Sequence, residues 1–257
     1  MRFLPLGSGS RGNAVLVDFG AARVLVDAGL SARALATRLE AVGYAPRDVD
    51  WIVLSHEHQD HTRGAERFSK RHGVPVVCYA ATLEAMDRSP AHFAEWHALP
   101  EEGPMDLGSV QVDAFPVPHD AVRPAGFVLS DGQLRVGIAT DLGHATTLVV
   151  QRLRGCHLLM VESNYDPELL QNGRYPWHIK QRVSSRTGHL SNEMAADLLT
   201  QTVDEECQAV VLGHLSENNN RPDLARRVAA GALAGAGRRR LSMRVAMARG
   251  PTPVVEL

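Results

Sequence analysis

Cysteine is scarce in this chain: Cys78, Cys156 and Cys207 are the only three in 257 residues. They are far apart and odd in number, which excludes a disulfide framework and any CxxC metal or redox pair, so all three read as buried apolar positions. Aromatic residues make up only 5%. No apolar run reaches the roughly 18 residues that a membrane-spanning helix needs. The opening MRFLPLG has neither the long apolar stretch nor the cleavage site of a secretory leader, so a cytoplasmic protein with no membrane partner is expected. Low-complexity sequence is missing apart from the Gly/Ala-rich stretch 230–237, read as a helix end and turn.

With 44% hydrophobic residues, the chain can bury a sizeable core, and residues 1–257 read as a single domain. The net charge of −2 conceals an uneven distribution, because arginine gathers in the last third: Arg174, Arg182, Arg186, Arg221, Arg226, Arg227 and the run Arg238-Arg239-Arg240. A polyanionic substrate and a set of solvated helix faces account for that bias equally well.

Short β-rich runs at 3–6, 14–19 and 23–27 are separated by glycine turns. Ser31 is a fair N-cap for a helix over 32–42, where Leu35 and Leu39 share one face and Gly43 stops the pattern. The continuous apolar run 51–55 suits a strand buried on both faces. A helix near 62–72 follows, then strands at 74–79, 110–116, 125–130, 134–139, 158–162 and 209–213, with helices at 192–202 and 222–233. The second half thus repeats the pattern of the first.

Directly after the run 51–55, His56-Glu-His58-Gln-Asp60-His61 places three imidazoles and a carboxylate on one loop. Four such groups at one strand end would repel and compete for hydrogen bonds unless a cation compensated them. Four ligands do not saturate two metals, and further candidates stand where later strands stop: His119, Asp141 and His214. Singly, these read as a loop residue, a turn former before glycine and a helix cap; together they read as ligands. Imidazoles and carboxylates without a thiolate suit Zn²⁺ and also accept Mn²⁺ or Fe²⁺.

HxHxDH with a later His, Asp and His resembles the metallo-β-lactamase superfamily. That resemblance implies an α+β fold, a four-layered αββα sandwich, with two divalent ions. It implies His56, His58 and His119 on one ion, Asp60, His61 and His214 on the other, and Asp141 bridging, with a hydroxide held between the ions as nucleophile and Asp60 counted among the catalytic residues. Secreted zinc β-lactamases generally carry cysteine where this chain has Asp141, and the span from Asp141 to His214 is too short for the inserted domain of β-CASP nucleases. The extended exosite and the His-Glu-Ala-Thr-like motif of long-armed ribonuclease Z are not seen.

The blocks GSGSRGN at 7–13, DAGLS at 27–31, PHDA at 118–121, RYPWHIKQR at 174–182, GHLSN at 188–192 and HLSENN at 214–219 are similar to YycJ/WalJ-type proteins. Those relatives imply a cytoplasmic DNA exonuclease acting from a 5′ end, on single-stranded DNA or a free end; the oligomeric state is left open. The Gly-His-Leu and His-Leu-Ser blocks are also similar to PhnP-type cyclic phosphodiesterases, so a small-molecule phosphodiesterase, or a thioester or lactone hydrolase, is the alternative.

His189 lies at a helix start outside the metal set, and the related phosphodiesterases imply that it protonates the leaving alkoxide; capping or packing is its plain reading. Ser8, Ser10 and Asn13 read either as donors to a phosphate or as a tight turn. Arg174, His178, Lys180, Arg182 and Arg186 would line a backbone groove, with Tyr175 and Trp177 as stacking platforms, unless Pro176 and Trp177 simply pack a loop. Glu162 and Asn164 are expected to orient His61 or His214 through the ring nitrogen not used for metal.

Overall fold

A computed structural model describes residues 1–238 and 241–257; Arg239 and Arg240 of the arginine run lie outside the described residues. The chain divides into two compact units, one formed by 1–114, 121–125 and 247–257, the other by 115–120 and 126–246.

In the first unit, β1 (Arg2–Gly7), β2 (Ala14–Asp18) and β3 (Arg23–Val26) form the expected antiparallel meander. Then β4 (Trp51–Val53), β5 (Val76–Cys78) and β6 (Trp96–Ala98) add on in parallel, and the terminal strand Val255–Glu256 pairs on the far side of β1. The helices are α1 (Ala32–Ala41), α2 (Gln59–Thr62), α3 (Ala65–His72) and α4 (Ala80–Ala85). Ser31 Oγ accepts from the Ala34 amide at the start of α1, and Gly43, at φ +90°, follows its end. Leu35 and Leu39 of α1 and Phe68 of α3 share a core with Leu16, Leu25 and Ile52 of the sheet.

A second seven-stranded sheet runs β13-β12-β11-β10-β9-β8-β7. Its strands are β7 (Met105–Asp106), β8 (Gln111–Pro116), β9 (Ala125–Ser130), β10 (Arg135–Ala139), β11 (Leu158–Glu162), β12 (Ala209–Gly213) and β13 (Ser242–Val245). The last four are parallel. Helices α5 (Thr147–Leu153), α6 (Pro167–Asn172), α7 (Trp177–Val183), α8 (Asn192–Thr202) and α9 (Pro222–Gly235) belong to the second unit. Val149 and Leu153 of α5, Leu198 and Leu199 of α8, and Ala225, Ala229 and Leu233 of α9 close over Leu159, Val161, Val210 and Leu212. Every residue of β11 and β12 is buried, which is why these runs are apolar without alternation.

Several sequence expectations change at their edges. The strand expected at 51–55 stops at Val53, because Ser55 turns its backbone amide to the Asp27 side chain. The helix expected near 62–72 is split at Gly64, where a Cβ would run into the Leu30 carbonyl. Trp177 is 70% exposed at the start of α7, so it is not packing a loop. No helix among the described residues is long and apolar enough to cross a membrane. The cysteines are free and buried as expected, and burial pushes their thiols up to about 11 for Cys78 and Cys156 and about 12 for Cys207.

Candidate metal centre

Parallel pairing brings strand ends to one edge, the usual place for ligands in such sheets. In the first unit, β3 and β4 run parallel in the register Val26↔Val53, so Asp27 and the segment Ser55-His56 leave the sheet side by side. Asp27 sits at φ +60°, an uncommon backbone for a non-glycine residue. Its carboxylate accepts from the Ser55 amide (2.9 Å), from Ser55 Oγ (2.9 Å) and from His61 Nδ1 (2.7 Å). The Ser55 hydroxyl has one proton, and Asp27 takes it. Ser55 Oγ is therefore the acceptor in its 2.9 Å contact with His56 Nδ1. This fixes both tautomers: His56 and His61 carry hydrogen on Nδ1 and present the Nε2 lone pair. His56 Nε2 lies 3.1 Å from His58 Nδ1, so two imidazole nitrogens face one point.

The loop carrying these histidines is clamped from behind. The Asn13 amide donates to the Asp60 carbonyl (2.7 Å), that of Ala28 to the His61 carbonyl (2.8 Å) and that of Gly64 to the Ala28 carbonyl (2.8 Å). A Cβ on Gly29 would collide with the Asp60 carbonyl, so only glycine permits this approach. The Asn13 side chain accepts from the Gly9 amide at 2.8 Å, which turns its Nδ2 toward His61 Nε2 (3.0 Å) and Asp60 Oδ2 (3.4 Å). Ser8 is buried and Ser10 exposed.

In the second unit, β10, β11 and β12 are in parallel register through Ala139↔Val161↔Leu212. Asp141, Glu162 and His214 consequently emerge at one edge. Asp141 (φ +59°) and His214 (φ +52°) repeat the left-handed backbone of Asp27, and such conformations, costing of order 1–3 kcal/mol each, gather at functional sites. Glu162 is fully buried. Its Oε1 accepts from Nδ1 of His189 and from Nδ1 of His214, both at 2.7 Å, and its Oε2 accepts from the Leu142 and Leu190 amides at 3.1 and 3.2 Å.

Asp141, Glu162, His189 and His214 can each offer one ligand atom with all of these within 4.8 Å of one another. The Gly188 carbonyl accepts from His119 Nδ1 (3.1 Å), and His119 Nε2 lies 3.8 Å from Asp141 Oδ1. Of the seven expected ligands, His56, His58, Asp60 and His61 thus gather in one unit, and His119, Asp141 and His214 in the other.

The donor chemistry fits a cation. His56, His61, His119 and His214 each engage Nδ1 with a protein oxygen, the arrangement that orients metal-bound imidazoles and leaves Nε2 as the coordinating atom. Burial pushes His119 below its ordinary value, toward the neutral form that a ligand requires, even though Asp141 acts to raise it. At Glu162 and His189, burial opposes both charges. The charge of His189 and its hydrogen bond still hold Glu162 below the carboxylate range, and Glu162 in turn holds His189 above the ordinary imidazole value.

Asn164 Nδ2 donates to the His214 backbone carbonyl at 2.8 Å, not to a ring nitrogen. Glu162 engages His214 and His189, and the carboxylate on His61 is Asp27. Sequence reading quoted Asp27 only within the block DAGLS and assigned no site role to it or to Ser55, although Asp27-Ala-Gly after a strand repeats the signal of Asp141-Leu-Gly.

The basic block 174–186 is largely helical. Arg182 Nε donates to Asp120 Oδ2 at 2.6 Å, and Asp120 Oδ1 lies 3.3 Å from His119 Nε2, so Arg182 is brought beside His119. Trp177 and Lys180 face elsewhere. They line a cavity of about 290 Å³ with Tyr165 and Leu170, and Lys180 Nζ donates to the Gln171 carbonyl at 2.6 Å. The Tyr175 hydroxyl accepts from Asn218 Nδ2 at 3.0 Å, and Arg174 and His178 are exposed. Arg186 turns to His144, with Arg186 donating to His144 Nε2 at 3.2 Å.

The family profile described as the beta-lactamase superfamily domain matches residues 22–214. The chain is 31% identical over 224 residues to exodeoxyribonuclease WalJ of Streptococcus pneumoniae, covering 86% of this chain and 83% of the relative. It is 32% identical over 228 residues to exodeoxyribonuclease YycJ of Bacillus anthracis, covering 88% and 86%. The metallo-β-lactamase fold protein YhfI of Bacillus subtilis superposes with a TM-score of 0.77 at 17% identity, covering all of both chains, which gives the fold expected from the sequence. The chain belongs to the β-lactamase superfamily of metallo-β-lactamase fold, together with the exodeoxyribonucleases WalJ and YycJ.

Proposed function

We propose that the chain is a metal-dependent phosphodiesterase that degrades DNA from a free 5′ end. The reading is carried by the four-group cluster Asp141, Glu162, His189 and His214, in a chain about one third identical to named exodeoxyribonucleases over most of its length. The ligands are His56, His58, Asp60, His61, His119, Asp141 and His214, and the cofactor is a pair of Zn²⁺ or Mn²⁺ ions, with Fe²⁺ also accepted by this donor set. Divalent ions supply an activated water and neutralise charge on the attacked phosphate.

The chain's own groups do the rest. His189, protonated on Nδ1 toward Glu162 and kept above its ordinary pKa, holds a proton on Nε2 for the leaving 3′-linked alkoxide. Arg182 exchanges Asp120 for a backbone phosphate, and Asn13, with Ser8 and Ser10 on the same glycine-rich turn, offers donors to the terminal phosphate. Arg174, Trp177, His178 and Lys180 track the strand further out.

The test is incubation of purified protein with 5′- and 3′-labelled single- and double-stranded DNA under Mn²⁺, Mg²⁺ and Zn²⁺, with the products sized over time. Stepwise mononucleotide release from the 5′ end supports the proposal. Turnover of bis(p-nitrophenyl) phosphate with every DNA end left intact would move the assignment to a small-molecule phosphodiesterase.

A further inference from the structure

Away from the histidine clusters, α9 and the edge strand β13 enclose a cavity of about 410 Å³. Its base is aliphatic: Leu233 is buried on the inner side of α9, Met243 is buried in β13, and Leu241 is partly buried between them. The depression exists because α9 places Ala230 and Ala234 along the stripe that faces it, where longer side chains would fill the space. Among the described residues, Arg226, Arg238 and Arg244 ring it. Among the described residues no acidic side chain lines it, and none of these arginines has a carboxylate partner. The neighbouring Arg227, by contrast, is paired with Asp223 at 3.5 Å. β13 is also the last strand of its sheet, so its outer edge has no strand neighbour among the described residues.

We propose that this groove docks an acidic peptide segment of a partner protein, laid along β13 with an apolar side chain seated on Leu233 and Met243 and carboxylates on the arginines. Methionine and arginine, both in this lining, are enriched where proteins bind one another. The open strand edge supplies main-chain donors and acceptors for an added strand, the β-augmentation mode. The volume lies within the roughly 300–1,000 Å³ of small binding pockets and takes one or two large side chains. Nucleic acid fits less well: a single strand would need aromatic platforms for its bases, and the described lining residues include none.

The full chain is titrated into a fluorescein-labelled peptide of about ten residues alternating Asp and Leu, long enough to add one strand, and into its Asn/Leu counterpart. A labelled oligothymidylate serves as the nucleic-acid probe. The expected result is saturable anisotropy with the acidic peptide, weaker by at least about tenfold with the Asn peptide and with Arg226→Glu/Arg244→Glu protein. Ala230→Trp, which fills the groove and leaves the charges, gives the same loss. Both variants keep the wild-type melting temperature and nuclease rate. The proposal is overturned by peptide binding that neither variant changes, by no saturable peptide binding, or by substitutions that weaken only the oligothymidylate.

Discussion

His189 and His214 hang from one oxygen atom: the Nδ1 of each donates to Glu162 Oε1 at 2.7 Å, with the two rings 5.2 Å apart. One carboxylate therefore sets the tautomer of a proposed metal ligand and of the group proposed to carry the leaving-group proton. Glu162→Gln puts a neutral amide in place of an acceptor that serves two donors. Metal affinity should fall about 10–100-fold, measured by chelator competition with metal content determined by elemental analysis. Unchanged affinity would detach Glu162 from the metal centre.

His189→Ala leaves the seven proposed ligands in place, so metal content should hold while nucleotide release from DNA drops about 10²–10⁴-fold. The p-nitrophenolate leaving group needs no proton. Hydrolysis of bis(p-nitrophenyl) phosphate should fall far less, and an equal loss on both substrates would show that His189 does not act as the acid.

Arg182 and Asp120 form an exposed ion pair, a class worth about 0–1 kcal/mol, so a phosphate can displace Asp120 at little cost. Arg182→Ala is expected to weaken DNA binding and to lower the salt slope of log Kd by about one unit. Anisotropy titrations across a salt series read both; a slope equal to wild type would remove Arg182 from the phosphate path.

Cys78, Cys156 and Cys207, with thiols raised to about 11, 11 and 12, carry almost no thiolate near neutral pH. A chromogenic disulfide reagent at pH 8 should find none of them in the native protein and all three after denaturation. A rapid native reaction would mean that one of these sites opens readily.

Tyr44 donates its hydroxyl to Asp18 Oδ2 at 2.6 Å and accepts from Arg2 at 2.7 Å, which ties α1's far end to β1 and β2. Burial raises its pKa, and the hydrogen bond and charge of Asp18 add to the shift. Because the folded value lies above the unfolded one, the neutral phenol's contribution is complete below about pH 10 and is lost as pH climbs through the folded pKa. Tyr44→Phe should cost about 1 kcal/mol at neutral pH and flatten the alkaline fall in melting temperature. A variant as alkali-sensitive as wild type would place the titration elsewhere.

Residues whose identity forces a local outcome were legible before any coordinates. The 158–162 and 209–213 runs, Ser31 before its helix and HxHxDH after a strand each answer to a single rule. Partners chosen in three dimensions were not. Asp27 lies far from His61 in sequence, and only the parallel pairing of β3 with β4 sets them side by side. Helix α7 hid inside RYPWHIKQR because proline and the aromatics suggested a loop, whereas Pro176 sits just ahead of the helix, where its fixed φ is harmless. Strands of two to four residues, such as β6, β7 and β13, are too short for a period to show.

The missing side chain of Gly29 carries an evolutionary consequence. A proposed ligand is a side chain that another donor residue can replace, but a methyl group at position 29 meets the Asp60 main chain, which no neighbouring substitution can shorten. Lineages descending from this protein should therefore keep glycine at position 29.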